Sequence, residues 1–236
     1  MRVGLFDSGI GGLTVLKSLM KRYPDNEYIY FGDTVNLPYG SKSKEELKKL
    51  AKHNIEFLLE FNVDLIIIAC GTVSSNCLDY LKSNYSIPII DIISPTINYL
   101  NNSNYNNIGV IATEATIKSH IFKNNINKKV YEIATPKLVP MIESNKLYDI
   151  DNVLEKYLSD YKDKIDILVL GCTHYPLLLS YFKKYNIKVL DMAELINIDN
   201  YGNSNINIYF SKVDKLLINN VKKILGNDIE LYEIEH

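Results

Sequence analysis

The chain of 236 residues has no tryptophan, only three cysteines and no long hydrophobic run. An odd set of three cysteines does not form the disulfide framework of a small secreted protein, so we expect free thiols. The longest apolar runs, Leu65 to Cys70 and Ile165 to Cys172, are far shorter than the ~20 residues of a membrane-spanning helix and are typical of buried strands. These absences argue against a disulfide scaffold and against a membrane protein.

An excess of positive charge is also missing, because 26 Lys and Arg stand against 28 Asp and Glu. Without a basic field, neither nucleic acid nor a membrane surface is an expected partner. The first residues enter a strand at once, at Val3, and lack the apolar core and small-residue cleavage site of a signal peptide. We therefore expect a cytoplasmic protein.

Short apolar strands alternate with segments of helical periodicity, which is typical of α/β folds with mainly parallel sheets flanked by helices. The predicted strands are Val3–Phe6, Tyr28–Phe31, Leu65–Ala69, Ile89–Ile93, Ile108–Ala112, Val130–Ala134, Ile167–Leu170, Lys188–Leu190 and Ile206–Phe210. The predicted helices lie near Leu13–Arg22, Lys44–Phe61, Ser74–Leu81, Thr116–Asn124, Asp151–Tyr161, Leu178–Tyr185 and Lys212–Leu225. Ligands of such sheets bind beyond the carboxyl ends of the strands, so functional residues are expected directly after each strand.

Two segments of the chain repeat each other. Residues 64–72 and 166–174 each contain an Asp, a strand, a small residue, a Cys and a Thr close behind. The repeat predicts two similar α/β domains related by an approximate two-fold axis, with the active site in the cleft between them. We expect residues 1–95 plus about 206–236 to form the N-terminal domain and residues 96–205 to form the second domain.

Cys70 and Cys172 each follow a predicted strand and precede a predicted helix, which places each thiol at a helix N-terminus. The helix dipole favours an anion there, so we expect it to lower the pKa of each thiol. Two thiols that flank one molecule suit racemisation, because one can remove a proton from the α-carbon while the other delivers a proton to the opposite face. Asp7, at the end of the first strand, and His174 are the expected partners of the two thiols.

A zinc site is another interpretation of these residues. Cys70, Cys172 and His174 are three soft ligands that would suit zinc, but the chain has no Cys-x-x-Cys pair and the Cys-x-His spacing straddles a turn. We therefore predict no metal site. The remaining cysteine, Cys77, has no strand-end context and is expected to pack in the core.

The glycine-rich turn Gly9–Gly12 also allows a dinucleotide-binding interpretation. Its first two glycines fit the pattern G-x-G-x-x-G/A, but Thr14 stands at the third position and Asp7 places negative charge where a pyrophosphate would lie. Asp33, at the end of the second strand, would then mimic the ribose-binding acid. The interpretation that we prefer is a tight turn without a cofactor, whose N–H groups and Ser8 hydroxyl bind a carboxylate.

Other candidate residues also follow strand ends. Pro38 and Gly40 fix a bend that presents Tyr39 and backbone amides, and threonine hydroxyls are candidate ligands for a zwitterion. Glu143 either orients His174 or begins a short helix as an acid that complements the helix dipole. The predicted substrate-binding residues are Asp7, Ser8, Pro38, Tyr39, Gly40, Gly71, Thr72, Thr113, Thr173 and His174.

Five motifs occur in a fixed order, namely residues 6–15, 30–33, 38–41, 139–143 and 170–176. Together they resemble bacterial glutamate racemase, of the aspartate/glutamate racemase family, and the resemblance extends from residue 2 to about residue 195. It implies two α/β domains, no cofactor, and interconversion of L- and D-glutamate that supplies D-glutamate for peptidoglycan. A homodimer is a possible assembly.

Alignment of these motifs places the catalytic thiols of the family on Cys70 and Cys172. It places the family's substrate contacts on Asp7, Ser8, Tyr39, Gly40, Gly71, Thr72, Thr173 and His174.

One residue departs from the family pattern beside the first thiol. The usual sequence there is Ala-Cys-Asn-Thr, whereas this chain has Gly71 in place of the Asn. Loss of one hydrogen bond to a charged group costs about 1.5–3 kcal/mol, so we predict weaker substrate binding. The alternatives are a racemase for aspartate or another amino acid on the same scaffold, and a weakly active or non-catalytic amino-acid-binding relative.

Overall fold

The computed structural model describes residues 1–226 and 229–234 and has the expected α/β class. All strand pairs of the described residues are parallel, and the strands form two sheets flanked by helices. The strands are β1 (Arg2–Asp7), β2 (Glu27–Gly32), β3 (Leu65–Ile68), β4 (Ile89–Asp91), β5 (Asn107–Ala112), β6 (Lys129–Ala134), β7 (Ile167–Leu170), β8 (Lys188–Asp191), β9 (Asn205–Phe210) and β10 (Leu231–Glu233). The predicted fold class is confirmed.

The helices cover the faces of the two sheets and leave the carboxyl ends of the strands open. They are α1 (Gly12–Arg22), α2 (Lys44–Leu59), α3 (Gly71–Asn84), α4 (Ile93–Asn101), α5 (Glu114–Lys118), α6 (Ile121–Asn125), α7 (Leu138–Glu143), α8 (Ile150–Leu158), α9 (Leu179–Phe182) and α10 (Lys215–Leu225). Short 3₁₀ turns occupy residues 34–36, 39–41, 175–178, 183–185 and 192–195. No helix of the described residues combines the length and the apolar character needed to cross a membrane.

The two sheets have the same strand order over four strands. The first sheet runs β10-β9-β2-β1-β3-β4 and the second runs β6-β5-β7-β8, so β5 to β8 repeat the arrangement of β1 to β4. Equivalent aspartates fix both repeats, because Asp64 accepts the N–H of Arg2 at 2.7 Å and Asp166 accepts the N–H of Asn107 at 2.8 Å. The sequence repeat therefore corresponds to a repeated sheet.

The central strands are apolar because both of their faces are covered. Every residue of β3 and of β7 is buried, as expected for parallel strands between two helical layers. The long helix α2 begins with a capping box, in which Ser43 and Glu46 satisfy each other's backbone N–H groups. Local sequence signals and burial thus agree in this part of the chain.

All nine predicted strands are present, whereas the bounds of some predicted strands and helices need correction. The strand predicted over Ile89–Ile93 ends at Asp91, and α4 begins directly afterwards. The single helix predicted over 116–124 is two helices, because His120 adopts a left-handed backbone conformation with φ 53°. The edge strand β10 was not predicted.

The first sheet is formed by strands from both ends of the chain. β9 and β10 extend it beside β2, and the second sheet lies wholly within residues 107–191. We propose domain boundaries near residues 95 and 206, where α4 and β9 carry the chain between the two sheets. The C-terminal segment of the predicted N-terminal domain includes residues 227–228 and 235–236, which lie outside the described residues.

Candidate active site

A cavity lies where the carboxyl ends of the two sheets face each other. It encloses about 80 Å³, and residues from both halves of the molecule line it. The predicted site residues in its wall are Asp7, Ser8, Pro38, Tyr39, Gly40, Cys70, Gly71, Thr72, Thr113, Cys172, Thr173 and His174. Glu143 is the one predicted residue outside this wall, and it contacts His174 from behind.

Cys70 lies at the end of β3 and directly precedes α3, as predicted. Its side chain is buried, and its sulfur lies 3.9 Å from the Ser8 hydroxyl oxygen. Burial raises the pKa of the Cys70 thiol well above its usual range, and the nearby Asp7 carboxylate raises it further. The expectation of a lowered pKa is therefore wrong for Cys70, because desolvation outweighs the N–H groups of the helix terminus.

Asp7 joins the two halves beside Cys70. Its Oδ2 atom accepts the N–H of Gly12 at 2.6 Å and the hydroxyl of Thr173 at 3.2 Å. Its Oδ1 atom is buried and has no hydrogen-bond partner among the described residues. A buried carboxylate oxygen without a donor in the wall of a cavity is available to a cationic ligand group.

Cys172 has a different environment from Cys70. Its sulfur lies 3.6 Å from Nδ1 of His174, and Nε2 of His174 lies 2.6 Å from a carboxylate oxygen of Glu143. Burial alone would lower the pKa of His174, but the hydrogen bonds from Cys172 and Glu143 together raise it well above its usual value. The side chains of Cys172, His174 and Glu143 therefore lie in a row, and each is close enough to the next for proton transfer.

Two expectations about this side of the cavity need correction. Glu143 is the last residue of α7 and not the first of a helix, so the explanation by a helix dipole is wrong and its contact with His174 remains. Cys172 does not directly precede an α-helix, since the segment after it is the 3₁₀ turn Tyr175–Leu178. Its local environment is set by His174.

Tyr39 contributes its ring to the cavity wall and uses its hydroxyl elsewhere. The hydroxyl donates to a carboxylate oxygen of Asp33 at 2.6 Å and accepts from Nδ2 of Asn54 at 3.1 Å. Burial raises the pKa of Tyr39 well above its usual range. Because Asp33 is fully buried in this network, it is not placed to bind a ribose, and the dinucleotide interpretation has no support.

The threonines form contacts across the cleft. The hydroxyl oxygens of Thr72 on α3 and Thr113 before α5 lie 2.9 Å apart, and Thr113 also caps α5 by accepting the N–H of Thr116. The hydroxyl of Thr173 donates to Asp7, and Thr14 donates to the Thr173 carbonyl at 2.9 Å. These hydroxyls therefore hold the two halves together around the cavity.

Two glycines allow the halves to approach each other closely. A Cβ atom at Gly71 would lie 2.7 Å from the carbonyl oxygen of Gly171, and a Cβ atom at Gly11 would lie 2.4 Å from Nδ1 of His174. Real Cβ atoms do not approach a backbone oxygen so closely, so any side chain at Gly71 requires the loops to move apart. Gly71 thus permits a narrower cleft than any other residue at this position would permit.

Several residues of the cavity wall escaped the sequence analysis as site residues. They are Leu37, Ser41, Glu114, Thr135, Pro136, Val139 and Pro140. Glu114, Thr135 and Pro136 follow β5 or β6, so the strand-end rule applied to every strand would have found them. The others lie in or beside motifs already identified. Within the described residues, no group of three or more His, Cys, Asp and Glu side chains is arranged to hold a metal ion.

Comparison with known proteins gives one consistent family. The model of the Asp/Glu/Hydantoin racemase family matches residues 14–196. Glutamate racemase of Aquifex aeolicus is 36% identical over 98% of this chain and 96% of its own length, and that of Fusobacterium nucleatum is 39% identical over 99% and 97%.

Solved structures agree with this result. Glutamate racemase of Francisella tularensis, solved in complex with D-glutamate, has a TM-score of 0.89 at 32% identity and covers 100% of this chain and 97% of its own. An isoform of glutamate racemase from Bacillus anthracis has a TM-score of 0.92 at 29% identity and covers 99% and 97%. The chain therefore belongs to the Asp/Glu/Hydantoin racemase family and is an amino-acid racemase, that is, an isomerase.

Proposed function

We propose that the protein is a glutamate racemase that interconverts L- and D-glutamate by a two-thiol mechanism without a cofactor. The observation that carries the proposal is that Cys70 and Cys172, from equivalent strand ends of the two sheets, line one cavity. The relatives named glutamate racemase support glutamate as the substrate, as does the related structure with D-glutamate.

The two thiols start in different protonation states in this mechanism. The raised pKa of Cys70 keeps its thiol protonated, and the raised pKa of His174 keeps an imidazolium beside the sulfur of Cys172. The thiolate of Cys172 takes the proton from one face of Cα, and the thiol of Cys70 gives its own proton to the other face. The reverse reaction begins with the Cys70 thiolate and the Cys172 thiol.

The wall of the cavity suits a zwitterionic substrate. The unpartnered Oδ1 atom of Asp7 is the proposed acceptor for the ammonium group. Among the described lining residues there is no Lys or Arg, so the carboxylates are assigned to backbone N–H groups and to hydroxyls such as that of Ser8. Such donors also stabilise the negative charge that develops as the Cα–H bond breaks.

Exchange of the α-hydrogen in deuterated water tests this proposal most directly. The wild-type protein is incubated with L-glutamate or D-glutamate, and mass spectrometry and circular dichroism follow deuterium at Cα and loss of optical activity. We expect both signals from both enantiomers. Binding without deuterium incorporation would instead indicate a non-catalytic amino-acid-binding protein.

A racemase for aspartate is a second candidate, favoured by the size of the cavity. About 80 Å³ is below the ~300–1,000 Å³ of typical ligand pockets, and the contact of Gly71 with Gly171 narrows the cleft. Aspartate is shorter than glutamate by one methylene group. The same exchange assay with a panel of L-amino acids separates the two, because kcat/KM for aspartate exceeds that for glutamate only if this candidate is correct.

Three further expectations from the sequence accompany this proposal. We propose that the protein acts in the cytoplasm, that its product enters peptidoglycan, and that it forms a homodimer. Fractionation of cells tests the location, and depletion followed by rescue with D-glutamate in the medium tests the metabolic role. Sedimentation equilibrium tests the assembly, and a monomer at assay concentrations would contradict the third expectation.

A further inference from the structure

A second cavity of about 220 Å³ lies on the far side of Glu143 from the active site. The active-site cavity is lined by His174 and not by Glu143, whereas the second cavity is lined by Glu143 and not by His174. The hydrogen bond of 2.6 Å between these two side chains therefore passes through the wall between the cavities. The side chain of Leu37 lines both cavities and forms part of the same wall.

Access to solvent differs between the two sides of this wall. The side chain of His174 is 2% exposed, and that of Glu143 is 20% exposed. The second cavity is otherwise lined by polar residues and by leucines of the C-terminal region, including Lys212, Asp214 and Leu216. Asp7, the corresponding carboxylate beside Cys70, is 1% exposed, and it lines the active-site cavity and not the second cavity.

A two-thiol racemase must restore its protonation states after each turnover. Once Cys172 has taken the substrate proton and Cys70 has given up its own, the enzyme is ready only for the reverse reaction. Another turnover in the same direction requires Cys172 to lose a proton and Cys70 to gain one. A second route for protons, separate from the substrate cleft, makes this step faster.

We propose that the second cavity is the proton port of Cys172. After Cys172 has taken the substrate proton, the imidazolium of His174 releases its Nε2 proton to Glu143, and Glu143 passes that proton to water in the second cavity. The pair of Cys172 and His174 then carries the same number of protons as before the turnover. The reverse sequence protonates Cys172. Cys70 exchanges its proton through the substrate cleft alone, so Glu143 is a positioning and relay residue that acts through His174. This inference rests on the proposed racemase function.

A substitution that fills the second cavity tests the port without altering the active-site residues. Leu216 lines the cavity and is 42% exposed, and Leu179, which is 41% exposed and lies outside both cavities, offers a matched control. We expect Leu216→Trp to lower kcat roughly threefold or more in both directions with kcat/KM unchanged, because restoration of the free enzyme limits kcat alone. Leu179→Trp should change neither constant.

Each kinetic outcome has a distinct meaning. An unchanged kcat in a folded Leu216→Trp protein that racemises glutamate would overturn the port and leave the proposed function intact. An equal fall of kcat and kcat/KM would also overturn the port, since it would indicate damage to the chemical steps. A wild-type protein that racemises no amino acid would overturn both proposals.

Chemical rescue gives a second test that does not depend on complete filling of the cavity. Glu143→Ala removes the relay carboxylate, and added formate can take its place only if it reaches His174. We expect formate to raise kcat of Glu143→Ala and of Glu143→Ala combined with Leu179→Trp by roughly fivefold or more. The combination of Glu143→Ala with Leu216→Trp should show no rescue. Equal rescue in both double variants would mean that formate enters through the active-site cleft, and it would overturn the port.

Discussion

The two cysteines occupy equivalent places in two repeated sheets, and their surroundings differ in kind. Cys70 lies beside Asp7 and Ser8 in an environment that favours the neutral thiol. Cys172 lies beside His174, which is itself hydrogen-bonded to Glu143. The comparison teaches that a repeated backbone supplies equivalent positions for the two thiols, while neighbours outside the repeat give each thiol a different electrostatic environment.

Removal of either thiol should have the largest effect and tests whether the two sides are equally necessary. We expect Cys70→Ala and Cys172→Ala each to lower the rate of racemisation by roughly three orders of magnitude or more, since each thiol serves one face of Cα in the proposed mechanism. Cys77→Ala is the matched control, because Cys77 is buried in the core and does not line the cavity.

Deuterium exchange sharpens this comparison further. Cys70→Ala and Cys172→Ala should each still exchange the α-hydrogen of one enantiomer, and the two variants should prefer opposite enantiomers. Exchange of the same enantiomer by both variants would contradict the assignment of one thiol to each face.

Removal of the Glu143 charge should affect the Cys172 side alone. We expect Glu143→Gln to lower kcat by about one to two orders of magnitude, because Gln still contacts His174 but no longer stabilises its charged form. The pKa of His174 falls toward its usual value in this variant, so His174 loses its proton at a lower pH. The alkaline fall of activity should therefore begin at lower pH than in the wild type. An unchanged pH profile would show that Glu143 does not control His174.

Substitution of Gly71 tests the contact between the two halves beside Cys70. We expect Gly71→Ala to lower the free energy of unfolding by about 1–3 kcal/mol, because the added Cβ meets the Gly171 carbonyl oxygen and the loops must separate. Gly71→Asn adds the same Cβ and an amide. Comparison of Gly71→Ala with Gly71→Asn therefore separates the effect of a wider cleft from the effect of an added hydrogen bond. A lower KM for glutamate in Gly71→Asn than in Gly71→Ala, measured with both variants, would show that the amide binds substrate.

The smallest expected effect concerns Asp191, the last residue of β8 in the second sheet. Burial raises the pKa of Asp191 to about 6, so between about pH 4 and pH 6 the folded protein binds more protons than the unfolded chain. The free energy of unfolding contributed by this group therefore falls as the pH rises through that window. Asp191→Asn should be more stable than the wild type at pH 8 by about 1–2 kcal/mol and similar to it at pH 4.

A second aspartate of the same domain provides the control for this prediction. Hydrogen bonds from the N–H groups of Asn107 and Asn106 lower the pKa of Asp166, so Asp166→Asn should lose stability at pH 8. Chemical denaturation at both pH values measures the two effects. The same sign for both variants would contradict the argument from pKa shifts.

The sequence predicted the strands well because their apolar runs reflect burial on both faces. The helix bounds were less accurate where tertiary contacts decide them. The continuous apolar run Ile89–Ile93 hides the change from β4 to α4, and Pro95 is tolerated there because it lies in the first turn of the helix. The left-handed conformation of His120 likewise has no signal in the helical periodicity.

Most residues of the cavity wall could also be predicted, since strand ends and motif resemblance identify them from local sequence. Two properties could not. The pKa of Cys70 depends on desolvation by tertiary packing, and the choice between the two roles left open for Glu143 depends on its contact with His174, 31 positions away. The close approach of Gly71 to Gly171 belongs to the same class, because no single segment contains both loops.

The position of β9 beside β2 determines which of the two sheets can be completed first during synthesis. The second sheet is complete once the ribosome has passed residue 191, and its strands are contiguous in the chain. The first sheet must wait, because Glu27–Gly32 pairs with Asn205–Phe210 and leaves an open edge until the C-terminal segment emerges. The N-terminal half is therefore synthesised first, but its sheet is completed last. During translation the unpaired edge of β2 is the part of the chain that most needs protection from aggregation.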